Sequence, residues 1–170
     1  RPDPEDLTAK YAWLSEKTEG RQAEPSSNAP YEGRRQGRML RLVRRRLGSL
    51  SGKRVLDYGG RDGRLMRGVA EQGADCFVVY YNARPCSWVT RLGSTLADLP
   101  ADLAPFDLCV LSHVLEHVAD PVGLLSSIRR LLKPEGAVYG EVPMECWRIL
   151  PVLEEQVTHV NFFTPSSLSK

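Results

Sequence analysis

Three histidines and one glutamate are the residues of this chain that could carry out acid–base or metal chemistry. His113, Glu116 and His117 fall within five residues of one another, and His159 is the third histidine. The order His-x-x-Glu-His matches the inverted zinc-protease motif, in which both histidines bind the metal and the glutamate acts as the base. That motif requires one long helix. Here it follows an apolar run directly and precedes Asp120-Pro121, where the next helix should begin, so there is space for little more than one turn.

A glycine-rich stretch between Lys53 and Gly63 reads KRVLDYGGRDG. Val55 and Leu56 are typical of a strand, and apolar residues then recur at helical spacing. These are Leu65, Met66, Val69 and Ala70. Glycines in a turn between a strand and a helix let backbone N–H groups approach a ligand, and the helix points its positive end at the same place. Such glycines can also be needed for steric reasons alone, so both interpretations stay open.

The elements that must position these residues alternate along the chain. Further strands are predicted at 75–81, 94–97, 106–112 and 137–142. A helix or loop is expected over 83–92, and a helix should run from Asp120-Pro121 to the turn at 133–136. Strands and helices that alternate over such short distances form parallel, right-handed crossovers. We therefore predict an α/β fold with a doubly wound, mostly parallel sheet, helices on both faces and ligands at the carboxyl ends of the strands.

Composition is that of an ordinary globular protein. The 170 residues fit one domain, with 42% hydrophobic and 26% charged residues. No apolar run approaches the roughly 20 residues that a membrane helix requires, and the net charge of +2 gives no strong attraction for nucleic acid. Four cysteines without CxxC spacing indicate free thiols in a reducing compartment. We predict a cytoplasmic protein with neither a membrane nor a nucleic-acid partner.

Residues 1–33 are predicted to form a short N-terminal helix and a flexible linker. Asp3 and Pro4 begin the helix, which ends near Lys17, and residues 18–33 have the composition of a linker. A second helix should run from about Tyr31 or Arg34 to Leu47. Seven arginines crowd it: Arg34, Arg35, Arg38, Arg41, Arg44, Arg45 and Arg46. They form either a cradle for an anionic substrate or, in the interpretation we favour, a solvated face.

The most specific stretch of the chain reads FDLCVLSHVLEHV over 106–118, followed by DP at 120–121 and LLKPEG at 131–136. With the turn at 57–63, this order resembles the class I S-adenosylmethionine-dependent methyltransferases over about 53–164. EVP at 141–143 and HVNFFTP at 159–165 resemble a subgroup that acts on sugars and other small metabolites. The resemblance implies that residues 34–170 form a Rossmann-like methyltransferase domain, with the family's C-terminal helix and antiparallel strands missing.

The same resemblance implies a site for S-adenosylmethionine at the ends of the first four strands. Its residues would be Asp57, Gly59, Gly60, Gly63, Tyr80, Tyr81, Asp98, Leu99, Ser112 and His113. The turn after the first strand would cup the methionine end of the cofactor, with the Asp57 carboxylate near its ammonium group or an ordered water. Asp98 and the Leu99 backbone N–H would contact the adenine. Ser112 and His113 would lie beside the cofactor.

Two positions depart from the family pattern. The family turn usually reads Asp-x-Gly-x-Gly-x-Gly, and Arg61 stands at its second glycine. We expect Arg61 to keep a negative φ and to turn its side chain outward. Where the family has an acidic residue for the ribose hydroxyls, this chain has Tyr80, Tyr81 and Asn82. Uncharged groups bind hydroxyls less strongly than a carboxylate does, at a cost of about 1–2 kcal/mol.

The function implied by the resemblance is methyl transfer to a small-molecule acceptor, such as a sugar hydroxyl or a biosynthetic intermediate. His113 or His117 is then either the base that takes the acceptor proton or a residue that packs the loop. We expect no metal, because methyl transfer does not require one. The alternative is an inactive module that keeps the fold for binding or regulation. A nucleotide-dependent oxidoreductase fits less well, because the His-Val-Leu-Glu-His segment has no role in it. The oligomeric state stays open, with a homodimer as one option.

Overall fold

The fold is seen in a computed structural model that describes residues 29–81, 85–100, 102–103, 105–143 and 159–168. Within these ranges five strands form one sheet: β1 (Arg54–Tyr58), β2 (Asp75–Val79), β3 (Thr90–Gly93), β4 (Phe106–Ser112) and β5 (Leu132–Glu141). Their order is β3-β2-β1-β4-β5, and every neighbouring pair is parallel. The order reverses between β1 and β4. The predicted doubly wound sheet is therefore confirmed, while the predicted N-terminal helix and Asn82 lie outside the described residues.

The described residues also contain four α-helices: α1 (Ala29–Leu47), α2 (Arg67–Ala70), α3 (Pro121–Leu131) and α4 (Pro165–Leu168). Asp120 caps α3 by accepting a hydrogen bond from the Gly123 N–H at 2.9 Å, as the Asp-Pro signal predicts. The expectation of a linker up to residue 33 is wrong for residues 29–33, which already belong to α1. The predicted boundary between 33 and 34 thus falls inside a helix. No helix in the described part of the chain has the length and apolar character needed to cross a bilayer.

Both faces of the sheet are covered, because successive residues of its central strands point to opposite sides. Val55 packs into a cluster with Met39 and Val43 of α1, whereas Leu56 packs on the other face with Ile128 of α3. Each of these five side chains is at most 3% exposed. Burial on this scale stabilises the fold by about 1.5–3 kcal/mol for each large apolar side chain.

The third strand lies just before the segment where the sequence predicts it, so the prediction for 94–97 is wrong. β3 covers Thr90–Gly93, and the residues predicted as that strand instead lead into a single 3-10 turn over 96–98. The Asp98 carboxylate accepts hydrogen bonds from the N–H groups of Ser94 and Thr95 at 2.7 and 2.8 Å. Those N–H groups therefore cannot join a strand ladder, which is how a short polar side chain competes with sheet formation. The described residues 85–89 form a turn and not a helix.

β5 begins earlier than predicted because it contains a wide irregularity. Leu132 pairs with Phe106, and regular pairing resumes only at Ala137 opposite Leu108. The four residues in between, which the sequence predicts as a turn, bulge out of the ladder. Regular pairing then runs to Glu141, one residue short of the predicted end of the strand.

Candidate cofactor site

A cavity of about 300 Å³ opens at the carboxyl ends of β1 and β4, below α1. It lies where the strand order reverses, which is the usual place for a ligand in a doubly wound sheet. Four of the predicted cofactor residues line it: Asp57, Gly59, Gly60 and Ser112. The other predicted residues are not among its lining residues: Gly63, Tyr80, Tyr81, Asp98, Leu99 and His113.

Asp57, at the end of β1, is the most unusual group of the cavity. Its side chain is fully buried, and neither carboxylate oxygen accepts a hydrogen bond from the described residues. Burial raises the pKa of Asp57 to about 7, although the nearby positive charge of Arg35 opposes the rise. A buried polar group without a partner is costly, so it is retained where a ligand supplies the missing donor. An ammonium group or a bound water fits this position.

The glycines of the turn make room that a side chain would fill. Gly59 has a φ of 79°, and a Cβ there would come within 3 Å of Val114. A Cβ on Gly60 would collide with the Asp57 carboxylate. The cradle next to Asp57 can therefore be built only from bare backbone, which allows a ligand to approach the N–H groups closely.

Arg61 adopts a conformation that the sequence analysis excluded. Its φ is 54°, in the left-handed region, so the expectation of a negative φ is wrong, whereas its side chain is exposed as expected. The left-handed conformation costs a residue with a Cβ about 1–2 kcal/mol. The surrounding turn imposes it: Asp62 accepts a hydrogen bond from the Arg64 N–H at 3.1 Å, and the Gly63 N–H donates to the Gly60 carbonyl at 2.9 Å.

Arg35 of α1 reaches into the cavity and was not singled out by the sequence. Its Nε donates to Glu141 Oε2 at 3.0 Å, and its Nη2 donates to Ser112 Oγ. Ser112 Oγ donates to the same Glu141 oxygen at 2.8 Å. Burial acts to raise the pKa of Glu141, but the hydrogen bonds from Arg35 and Ser112 outweigh it and hold the pKa below its usual value. This network joins α1 to the ends of β4 and β5.

The position of Arg35 separates it from the other six arginines of α1. It stands four residues before Met39, whose side chain is buried, so the two lie on the same side of the helix. The other six are exposed: Arg34, Arg38, Arg41, Arg44, Arg45 and Arg46. The prediction of a solvated arginine face is confirmed for these six and wrong for Arg35. The sequence signal that identifies Arg35 is its register with the buried stripe.

Tyr80 and Tyr81 stack on each other just after β2. Their ring centroids are 4.4 Å apart, and their hydroxyl oxygens are 3.2 Å apart. Asp98 is exposed near the end of β3, and the N–H groups of Thr95 and Ser94 lower its pKa. The Leu99 N–H, predicted to bind adenine, donates instead to the Leu96 carbonyl at 3.4 Å. The roles of these four residues in ribose and adenine binding stay predictions.

His113 follows β4 and is held by backbone and side-chain contacts. Its φ is 56°, its N–H donates to the Glu141 carbonyl at 2.8 Å, and its Nδ1 lies 3.2 Å from Glu116 Oε1. The Glu116 side chain is 1% exposed. A non-glycine residue in this backbone conformation is uncommon, and such residues cluster at functional sites.

His117 lies apart from His113, on a one-turn 3-10 helix over 115–117. The two histidines therefore do not share the long helix that the inverted zinc-protease motif requires. His117 instead pairs with His159, whose ring packs edge-on at a centroid distance of 4.7 Å. The segment that begins at His159 therefore packs against the loop after β4, where the N–H groups of Val160 and Asn161 donate to the Glu116 carbonyl.

The fold is a doubly wound domain with a cavity at the carboxyl ends of its parallel strands. The chain belongs to the methyltransferase-domain family, whose model matches residues 31–170. This confirms the resemblance found in the sequence and makes S-adenosylmethionine the cofactor expected in the cavity. The unpaired Asp57 carboxylate and the bare cradle of Gly59 and Gly60 are compatible with the amino-acid end of that molecule.

Two relatives show how far the similarity extends. A ubiquinone biosynthesis O-methyltransferase of Aliivibrio fischeri is 33% identical over 113 residues, which is 59% of this chain and 48% of that protein. A protein of the same name from Klebsiella pneumoniae is 30% identical over 113 residues, covering 59% of this chain and 46% of that protein. The chain thus spans about half the length of the curated relatives it matches.

Solved structures share the fold at lower sequence identity. The structure of a DhpI–SAH complex has a TM-score of 0.58 and 20% identity, covering 96% of this chain and 81% of that one. Streptomyces venezuelae DesVI has a TM-score of 0.53 and 14% identity, covering 84% and 58% respectively.

Proposed function

We propose that this chain binds S-adenosylmethionine and transfers its methyl group to a hydroxyl of a small molecule. The observation that carries the proposal is the fully buried, unpaired carboxylate of Asp57 beside a cradle of bare backbone. Membership of the methyltransferase-domain family supports the reaction, and the names of the curated relatives support oxygen as the atom that is methylated. A sugar hydroxyl and a biosynthetic intermediate both remain in the proposed acceptor class.

Two charged residues of the cavity, Asp57 and Arg35, match the two charged groups at the amino-acid end of the cofactor. Asp57 would pair with the ammonium group, and Arg35 supplies the cation that a carboxylate group would meet in the same cavity. Both are charge-assisted contacts, which are the stronger and more directional kind. Arg35 is already oriented by Ser112 and Glu141, so little side-chain freedom is lost when a ligand binds.

The acceptor side needs alignment more than covalent chemistry. The cofactor supplies an electrophilic methyl group on a sulfonium sulfur, and the protein has to hold the acceptor oxygen in line with it and exclude water. His113 comes directly after Ser112, which lines the cavity, and Glu116 lies against its Nδ1. His113 would therefore accept the acceptor proton through Nε2 while Glu116 orients the ring.

Calorimetric titration with S-adenosylhomocysteine tests the cofactor site separately from catalysis. We expect saturable binding, weakened about 10- to 100-fold in Asp57→Asn because a charge-assisted hydrogen bond is lost. Asp75→Asn is the matched control, because Asp75 is exposed at the first residue of β2, at the edge of the sheet away from the cavity. A folded protein that binds neither this product nor S-adenosylmethionine would contradict the proposal.

Radiolabelled methyl transfer to a panel of small hydroxyl compounds tests the reaction. His113→Asn should lower the turnover rate by about 10²-fold or more and leave S-adenosylhomocysteine binding unchanged. The second candidate function is a non-catalytic binding module, which the stacked tyrosines favour because they stand where the family has a ribose-binding acid. Cofactor binding without transfer to any acceptor would favour that candidate.

A further inference from the structure

Glu116, His117 and His159 bring one carboxylate and two imidazoles together beside the loop after β4. One ligand atom from each residue lies within 4.8 Å of those from the other two. From this cluster we propose that the three side chains bind a divalent first-row transition cation of the zinc type. No metal was expected from the sequence, because methyl transfer does not require one; the structure adds His159, which packs against His117.

The Glu116 side chain gives an independent reason for a cation at this point. It is 1% exposed, and neither of its oxygens accepts a hydrogen bond from the described residues. Two imidazole nitrogens lie within 4 Å of its Oε1: His113 Nδ1 at 3.2 Å and His117 Nε2 at 3.9 Å. A carboxylate taken out of water is stable only when it is paired or bound to a metal. A cation shared with the two imidazoles supplies that partner.

Hydrogen bonds from Val160 and Asn161 hold the segment after His159 against the loop that carries Glu116. The N–H groups of Val160 and Asn161 both donate to the Glu116 carbonyl, at 2.7 and 3.1 Å. The Asn161 side-chain amide donates to the carbonyls of Leu115 and Val118, at 2.9 and 2.6 Å. His159 is therefore fixed beside Glu116 although more than forty residues separate them in sequence. Metal sites require such support to hold the ligands in place.

The donor set selects the type of cation. Two imidazole nitrogens and one carboxylate oxygen suit zinc and its neighbours in the first transition row, whereas magnesium and calcium prefer oxygen ligands. Ligand atoms about 2.0–2.2 Å from zinc lie closer together than 4.8 Å, so small side-chain rotations have to close the cluster. Three protein ligands leave one coordination position open, as in catalytic zinc sites.

The open position gives the site a role in methyl transfer, and this part rests on the proposed function. Glu116 Oε1 lies 3.2 Å from Nδ1 of His113, which directly follows the cavity-lining residue Ser112. A hydroxyl that binds the cation through its oxygen loses its proton more readily, because the positive charge stabilises the alkoxide. The acceptor would thus be a hydroxyl compound able to ligate a metal, with the released proton passing to a base.

Metal binding can be measured without any methyl transfer. The protein is stripped with a chelator and titrated with ZnCl₂ by calorimetry, and bound zinc is counted by elemental analysis after dialysis. We expect one zinc per chain, a higher melting temperature in its presence, and about a hundredfold weaker binding in His159→Ala. Cobalt bound in place of zinc should give visible absorption bands, and magnesium should not displace it.

Control variants separate this site from its neighbours. Glu135→Gln removes an exposed glutamate and should leave zinc binding unchanged. Glu116→Gln tests whether the carboxylate is a zinc ligand. Because Glu116 is buried, this variant could fail to fold, and His159→Ala then provides the test. Absence of stoichiometric zinc binding in folded wild type, or unchanged binding in His159→Ala, would overturn the proposal. A wild-type protein that binds zinc stoichiometrically but transfers no methyl group to any acceptor would keep the metal site and count against the proposed function.

Discussion

Ionisation of Asp57 should control how cofactor affinity changes with pH. The pKa of this carboxyl group is about 7, and pairing with an ammonium group requires the ionised form. Below pH 7 the site must therefore lose a proton when the cofactor binds, so the affinity falls by up to tenfold for each pH unit. Two pH units below the pKa, at pH 5, the dissociation constant should be about a hundredfold higher than its limiting value above pH 7.

Calorimetric titration with S-adenosylhomocysteine at pH 5, 6 and 7 measures this slope. Running each titration in two buffers with different ionisation enthalpies also counts the protons exchanged. We expect close to one proton released per ligand at pH 5, and about half a proton at pH 7, where the carboxyl group is half ionised. The Asp57→Asn variant should lose both the slope and the proton release, whereas Asp75→Asn should keep them.

The raised pKa of Asp57 also makes the stability of the fold depend on pH. Whereas cofactor affinity should rise with pH, the contribution of Asp57 to stability should fall. Because burial raises the pKa of Asp57 from 3.8 in the unfolded chain to about 7, its contribution to stability is present below pH 4 and is lost as the pH rises through 7. Relative to wild type, Asp57→Asn should thus gain up to about 4 kcal/mol of unfolding free energy between pH 4 and pH 8. Urea denaturation measures this difference. Wild-type affinity that is flat from pH 5 to 7 together with no such gain would refute the reasoning.

Two further predictions concern backbone geometry. Arg61→Gly should raise the free energy of unfolding by about 1 kcal/mol, because a φ of 54° strains a residue with a Cβ. Arg61→Ala keeps that strain and should not raise it. Equal shifts of the two variants in urea denaturation would contradict this prediction. Gly63→Ala should destabilise by more than about 1 kcal/mol, since its φ is 77° and the new Cβ would meet Val89. Gly37→Ala, in an open part of α1, should stabilise by about 0.5–1 kcal/mol. Thermal melts that move both glycine variants in the same direction would show that the argument fails.

Strongly patterned elements could be predicted from the sequence almost to the residue. β4 has the predicted bounds because seven consecutive residues from Phe106 carry the signal of a strand covered on both faces. α3 begins where Asp120 and Pro121 predict it. The third strand was misplaced because the Asp98 side chain binds the N–H groups of Ser94 and Thr95, a competition that strand propensity ignores.

The candidate site was predicted only where one local motif forms it. Asp57 and the glycines after it follow from the turn, but the strain at Arg61 was missed because no local rule places an arginine in the left-handed region. Arg35 was missed because only its register with Met39 distinguishes it from the neighbouring arginines. The cluster of Glu116 and His159 depends on hydrogen bonds between segments more than forty residues apart, such as that from Asn161 to the Leu115 carbonyl, and no spacing in the sequence indicates them.

The pairing of β1 with β4 has a consequence for how the chain folds. Partners in the β1–β2 pair, such as Val55 and Cys76, lie about 20 residues apart, and those in the β4–β5 pair about 30. Val55 and Leu108, which join the two halves, lie about 50 residues apart. Closing this longer loop costs about 0.8 kcal/mol more chain entropy than closing the loop between β1 and β2, which makes β1–β4 the most non-local strand pairing of the described sheet. The cavity lies at the carboxyl ends of β1 and β4, so a ligand bound there would contact both strands of this pairing and stabilise it.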